Sequence, residues 1–348
     1  MDSLYGYETA LWYWRLTAPR KSQPRRISRT LEPGSYVHTD MQEREQRPNW
    51  LDPLAIEVAG GSVHPMVFHQ NSRSGQKECD WHVWGSFPRD ALVPAGEKSF
   101  VVSPECCFLQ MAQRLDFHHL VLLGMELCGF YCIDPTEEEG FARREVALTS
   151  CERIRDFLAE NEGARGRRAA ETALRYVADR AASPMESAIY LLLCLPYKRG
   201  GYGLPRPMLN YPLELTENAL KISKGLPCWG DICWPTPKLD LEYLGESGHE
   251  GKGNMLSDRR RTLAIEEAGY EVIEITKEQA TDLTTFDIIA RRVAAKLGKR
   301  LDKAKCGLTP ERRALAEVVF EYHAYETGQP VEANIAEDED GPVIGKRA

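Results

Sequence analysis

Residues 228–276 read CWGDICWPTPKLDLEYLGESGHEGKGNMLSDRRRTLAIEEAGYEVIEIT, and the fold turns on them. Two short apolar runs, 228–234 and 238–244, flank a Pro-Thr-Pro turn and predict a pair of strands. Each run carries one acid, Asp231 in the first and Glu242 in the second. A helical segment holding Asp258 and three arginines follows, then a last strand at 270–276. Strand side chains alternate faces, so Leu239, Leu241 and Tyr243 make a core face and Lys238, Asp240, Glu242 and Leu244 point the other way. A carboxylate at Asp231, among Cys and Trp, is costly unless a cation or hydrogen bonds offset it. Acids on adjacent strands suit a hard divalent cation held against a phosphate.

Working outward, Ser183-Pro184-Met185-Glu186 opens a helix. Ser183 is the cap, Pro184 fits the first turn, and Glu186 stands three residues past the cap, where it completes a capping box or serves the site as an accessory acid. The helix is apolar through residue 195, and a Gly/Pro-rich connector spans 197–207. Residues 210–223 read as a strand or hairpin. Beyond the quoted stretch, 286–297 is an amphipathic helix.

This order of elements resembles the PD-(D/E)XK nuclease superfamily, and within it the small domains related to very-short-patch repair endonucleases. The resemblance covers roughly 183–297. It is carried by SPMES on the first helix, GDICWP, LEYLGESGHE, and a D-x-x-R helix leading into GYEVIEIT. It implies a restriction-endonuclease-like α/β domain, a central mixed sheet flanked by helices, that hydrolyses DNA phosphodiester bonds with Mg2+ or Mn2+. Asp231 and Glu242 become metal ligands with Glu246, and Glu186 an accessory acid. His249 becomes a general acid or base, Arg261 a contact to the scissile phosphate, and Asp258 an orienting group for Arg261 or His249. The chain departs from the pattern at Leu244, where many relatives place a lysine that orients the attacking water. That departure keeps a second expectation open, a catalytically inactive nuclease fold that binds DNA or a protein partner. Asp231 and Glu242 must lie within roughly 7 Å of each other if one cation with ~2.0–2.6 Å ligand bonds is to bridge them.

Upstream, residues 4–16 place Leu4, Tyr7, Leu11, Trp12 and Leu16 at helical spacing. Residues 15–47 carry eight bases against four acids, a basic arm for phosphate or a solvated loop. A β pattern runs through 54–102, and Ser103-Pro104-Glu105 starts a helix to about 115, with another at 117–129. YETALWYWRL, HVWGSF, SFVVS running into SPECCFLQMAQRL, and LVLLGMELCGFY resemble the part of abortive-infection antitoxin proteins that lies outside their winged helix. That likeness covers roughly 4–133. It implies a protein partner for this region and a defence or toxin–antitoxin-like setting.

The layout expected is therefore an α+β antitoxin-like domain at 1–140, an arginine-rich helical linker at 141–182 and the endonuclease-like domain at 183–300. A final helix and an acidic, disordered tail fill 301–348. The 348 residues suffice for two cores. The net charge of −8 is awkward for a DNA-binding chain, yet six acids against two bases lie in 324–348 alone, so local charge decides. No run reaches the ~20 apolar residues of a membrane helix, and the N-terminus lacks the pattern of a signal peptide, which makes the cytoplasm the expected location. There the ten cysteines are expected reduced. A zinc site on Cys79-x2-His82, completed by His118 and His119, competes with buried thiols acting as small hydrophobes.

Overall fold

The computed structural model describes residues 3–17, 20–27, 62–68, 79–96, 99–245, 251–302 and 306–322, with the backbone alone for 251–258. The acidic tail and the larger part of the basic arm lie outside the described residues. The chain opens with β1 (Ser3–Tyr5) and α1 (Tyr7–Trp12), which widens into a π-helical turn, Tyr13–Thr17. Then come β2 (Met66–Val67), β3 (His82–Val83), β4 (Leu92–Gly96), β5 (Ser99–Val102), α2 (Pro104–Met111) and α3 (Phe117–Leu127). The hairpin β6 (Tyr131–Ile133) and β7 (Phe141–Arg143) and the helices α4 (Cys151–Glu160) and α5 (Arg167–Leu174) follow. The second half holds α6 (Pro184–Cys194), β8 (Met208–Pro212), α7 (Glu217–Ile222), β9 (Trp229–Trp234) and β10 (Leu239–Leu244). It ends with α8 (Gly251–Glu267), β11 (Glu271–Thr276), α9 (Lys277–Thr281), α10 (Leu283–Lys296) and α11 (Pro310–Glu321). The architecture is mixed α/β, with small sheets of both parallel and antiparallel strands.

Helix starts follow the caps. Ser103 accepts from Cys106 N at 3.3 Å, Ser183 from Glu186 N at 3.1 Å and Thr309 from Arg312 N at 3.2 Å, each with proline next. Two expectations need correction. Leu4 is not helical but pairs with Phe100 as β1 runs parallel to β5. The helix waits for Gly6, where any side chain would collide with Met66 Sδ, 2.3 Å from the Cβ position. Residues 217–222 are helix rather than strand, because Thr216 caps them through Ala219 N at 3.2 Å and Ala219 is buried against the β9 side.

One apolar core runs from Leu4 to Tyr322 and includes α3 and α6, which are buried nearly all round. Within the described part of the basic arm Lys21 and Arg25 are exposed, while Arg15, Arg20 and Arg26 meet carboxylates. Arg15 donates to both oxygens of Glu126, at 2.8 and 2.7 Å, and Tyr322 adds its hydroxyl at 2.9 Å. Arg26 pairs with buried Glu105 and Arg20 with Asp134. These guanidiniums answer carboxylates rather than a solvated loop. Glu126→Gln is expected to cost ~3–5 kcal/mol, since it leaves Arg15 buried without its counter-charge. Urea unfolding that shifts by less than ~1 kcal/mol would contradict this account of the pair.

The four-stranded sheet has the order β11-β10-β9-β8. β8, β9 and β10 form an antiparallel meander, and α8 crosses over to bring β11 parallel to β10. One face, with Ile232, Leu239, Leu241 and Ile273, joins the main core and the side chains of α10. The other carries Cys233 against Ala264 and Ile265 of α8 and Ala268 just past its end. The alternation expected for 239–244 therefore holds.

Candidate active site

The register Leu239↔Trp234, Asp240↔Cys233 and Leu241↔Ile232 stops just short of Asp231 and Glu242. There the ladder's next N–H groups go to side chains. Tyr243 N donates to Asp231 Oδ2 at 3.0 Å, and Asp231 N donates to Glu242 Oε1 at 3.4 Å. The irregularity continues into β8. Leu209 packs in the main core and Tyr211 in the α8 cluster, and Asn210 between them has a φ of 43°. Such breaks in pairing commonly re-aim side chains beside active sites.

Arg261 of α8 closes the group. It takes Glu242 with both terminal nitrogens, Nη1 to Oε2 and Nη2 to Oε1, the latter at 3.1 Å. Nη2 also lies 3.6 Å from Asp231 Oδ1 and donates to Trp229 O. Two carboxylates reached from one nitrogen at 3.6 and 3.1 Å are within the ~7 Å that a bridging cation requires. The resemblance puts Arg261 on a phosphate; here its guanidinium spans the two acids.

Asp240 is the residue that sequence reasoning left out of the site, although its place two before Glu242 on the same face was readable. It is fully buried, and neither oxygen has a hydrogen-bond partner among the described residues. Gly230 makes room for it, since a Cβ there would sit 2.5 Å from Asp240 Oδ1. A buried carboxylate in that state needs a proton or a cation. Burial, then the facing Glu242, pushes Asp240 up to about 10. Burial and Glu242 push Asp231 up to about 7, with Arg261 and the Tyr243 N–H pulling it back.

Glu186 sits at the start of α6, near enough for Asp231 to raise it further after burial, to about 8. Both its oxygens are committed, however. Oε1 accepts from Ser183 Oγ at 3.1 Å, and Oε2 accepts from Ala182 N and Asn210 Nδ2, each at 2.8 Å. Its contacts are those of a cap that also fixes the kinked Asn210. Glu246 and His249 lie outside the described residues, as does the side chain of Asp258, whose backbone is in α8. The exposed Leu244 ends β10.

The all-oxygen set of Asp231, Asp240 and Glu242 suits Mg2+ in kind. Its spacing does not yet suit it, because Arg261 lies between two of the three. Among the described residues, three donor atoms converge within 4.8 Å of one another in two places, neither of them this acidic set: His64–Asp80–His82 and Cys128–Cys151–Asp179. His118 and His119 join neither. His118 Nε2 lies 3.2 Å from Arg199 O, and His119 Nδ1 is 2.5 Å from Asp116 Oδ2.

No helix among the described residues is long and apolar enough to cross a membrane. No family model and no solved structure matches the chain. Over 172 residues it is 31% identical to two uncharacterized proteins of Mycobacterium tuberculosis, from strains CDC 1551 / Oshkosh and ATCC 25618 / H37Rv. The match covers 47% of this chain and 55% of each relative, so the chain spans about half the length of the curated relatives it matches.

Proposed function

We propose that α6 to α10 form a PD-(D/E)XK-type nuclease core and that the chain hydrolyses DNA phosphodiester bonds with Mg2+ or Mn2+. The observation that carries the reading is the convergence of Asp231 and Glu242 on Arg261 Nη2, with Asp240 buried beside Glu242 and lacking a partner among the described residues. The order helix, antiparallel meander, crossover helix, parallel strand supports the fold. Asp231, Asp240 and Glu242 would hold the cation, together with Glu246. When bound, the cation polarises a phosphoryl oxygen and lowers the pKa of a water.

The chain's own groups do the remainder. Glu242, now doubly held by Arg261, would have to give up that contact to ligate the cation, and Asp240 and Asp231 would have to be deprotonated to join it. Arg261, freed from the acids, offers a planar pair of donors to a phosphate oxygen. With leucine at 244, His249 would serve as the general acid or base. A catalytically silent core that binds DNA or a partner protein is the second reading, favoured by the double contact of Arg261 to Glu242 and by Leu244.

Supercoiled plasmid, linear duplex, single-stranded DNA and RNA, each incubated with Mg2+, Mn2+ or a chelator, test the reading. Metal-dependent nicking of DNA that disappears in Asp231→Ala and Glu242→Ala is the expected result. Cleavage that persists in both variants overturns it. DNA retention without cleavage by the wild type assigns the second reading.

A further inference from the structure

A second site lies in the first half of the chain, away from the acids of β9 and β10. Residues 63–67 and 79–84 run side by side in parallel, held by Asp80 N to Val63 O at 2.8 Å, His82 N to Pro65 O at 3.0 Å and Trp84 N to Val67 O at 2.9 Å. Residues two apart on a strand share a face, so Asp80 and His82 point the same way. The register, Val63 beside Cys79 and Met66 beside His82, puts His64 next to Asp80 on that face. Three metal-donor side chains are thereby gathered from two segments.

Their spacing is that of a coordination sphere. His64 Nδ1 and His82 Nε2 are 3.0 Å apart, and each is 3.7 Å from Asp80 Oδ2. The point equidistant from the three lies about 2.0 Å from each, which is the Zn–N and Zn–O bond length. The surroundings orient the donors, with Arg114 Nη1, 3.4 Å from Asp80 Oδ2, a charge that a bound cation would displace. His64 Nε2 lies 3.3 Å from Glu8 Oε2, while Glu8 Oε1 is held by Arg114 Nε at 2.8 Å. Glu8 Oε2 is buried with no hydrogen bond among the described residues. His64 Nε2 lies 3.3 Å from that oxygen without forming the bond here; a proton on Nε2 is drawn to the carboxylate electrostatically, and that tautomer leaves Nδ1 as the acceptor nitrogen. A carboxylate taking the far nitrogen of a ligating histidine is the usual outer shell of zinc. The Tyr7 ring stacks on His82 at 3.8 Å, and Gln110 Oε1 accepts from Tyr7 N at 2.7 Å, so the second imidazole is braced as well.

We infer that His64, Asp80 and His82 form a site of two imidazoles and one carboxylate for Zn2+, with Glu8 positioning His64. These borderline donors suit zinc better than Mg2+ or Ca2+. Three protein ligands leave a fourth position for a water. The site ties β1–α1, the 63–67 segment and the 79–84 segment together, since His64 O accepts from Gly6 N and His64 N donates to Thr9 Oγ1.

The test is a Co2+ titration of the full chain after dialysis against a chelator, followed by visible absorption and then by displacement with Zn2+. The wild type is expected to develop the visible bands of nitrogen-and-oxygen-bound Co2+, which Co2+ held by carboxylates alone does not give. The Asp231→Ala/Glu242→Ala double variant should do the same, which separates this site from the acidic one. His82→Ala and Asp80→Ala should each weaken binding at least ~100-fold, and Glu8→Gln by ~10–100-fold. Asp80 is half-exposed, so its replacement leaves the core intact. An unchanged titration in both His82→Ala and Asp80→Ala, or no band in the wild type, overturns the inference. The two imidazoles are then a hydrogen-bonded pair.

Discussion

Asp231→Ala and Glu242→Ala are each expected to lower metal-dependent DNA cleavage by ~10³-fold or more, corresponding to the several kcal/mol of charge stabilisation that a bound cation contributes. Both changes remove an oxygen from the same small space, the one now spanned by Arg261. Arg261→Ala should behave differently. Its removal frees both acids, so Mn2+ binding should tighten several-fold, in keeping with ~1 kcal/mol for a pair whose guanidinium is 38% exposed. Cleavage should nevertheless fall by ~10²-fold or more, because the donor for developing charge on the phosphate is gone. Calorimetry with Mn2+ and single-turnover cleavage separate the two effects. If Arg261→Ala bound Mn2+ no better and cut DNA as fast as the wild type, the guanidinium would be neither a competitor for the acids nor a contact to phosphate.

The strands at 229–234, 239–244 and 271–276 were legible because their alternation and their bounding turns are local properties. So were the helices that begin Ser-Pro or Thr-Pro, where the cap and the fixed φ of proline act within one turn. The fate of the basic arm was not legible. Arg15 meets a carboxylate 111 positions away, and nothing near Arg15 distinguishes an inward guanidinium from a solvated one. Asp231 and Glu242 could be paired from strand order alone. The intrusion of Arg261 between them depends on how α8 packs against Cys233, which is a tertiary matter. Glu186 was ambiguous in sequence, and its three donors resolve its contacts toward the cap. His64 escaped notice because no short motif links it to His82; the parallel pairing of two brief segments does.

Asp240→Asn is expected to stabilise the protein, and increasingly so as the pH rises. The carboxyl titrates near 3.8 when unfolded and is pushed up to about 10 in the fold. Between those values the folded state binds more protons than the unfolded one, so stability falls as pH climbs from about 4 toward about 10. Below the lower value both states are protonated and the group contributes nothing. The slope can reach ~1.4 kcal/mol per pH unit. Asparagine is nearly isosteric over Gly230, does not titrate and can donate to Glu242, so it escapes this penalty. Urea unfolding at pH 5.5 and pH 8.5 should show the advantage of the variant growing by more than ~1.4 kcal/mol. Asp231 and Glu186 titrate with the same sign in both proteins, which leaves Asp240 as the main source of the difference. A constant advantage at the two values would mean that the carboxyl finds a counter-charge in the fold. Adding Mg2+ at pH 8.5 then separates the two ways of relieving a buried carboxylate. A cation held by Asp240 should narrow the gap by stabilising the wild type more than the variant, whereas a carboxyl that is simply protonated should leave the gap unchanged.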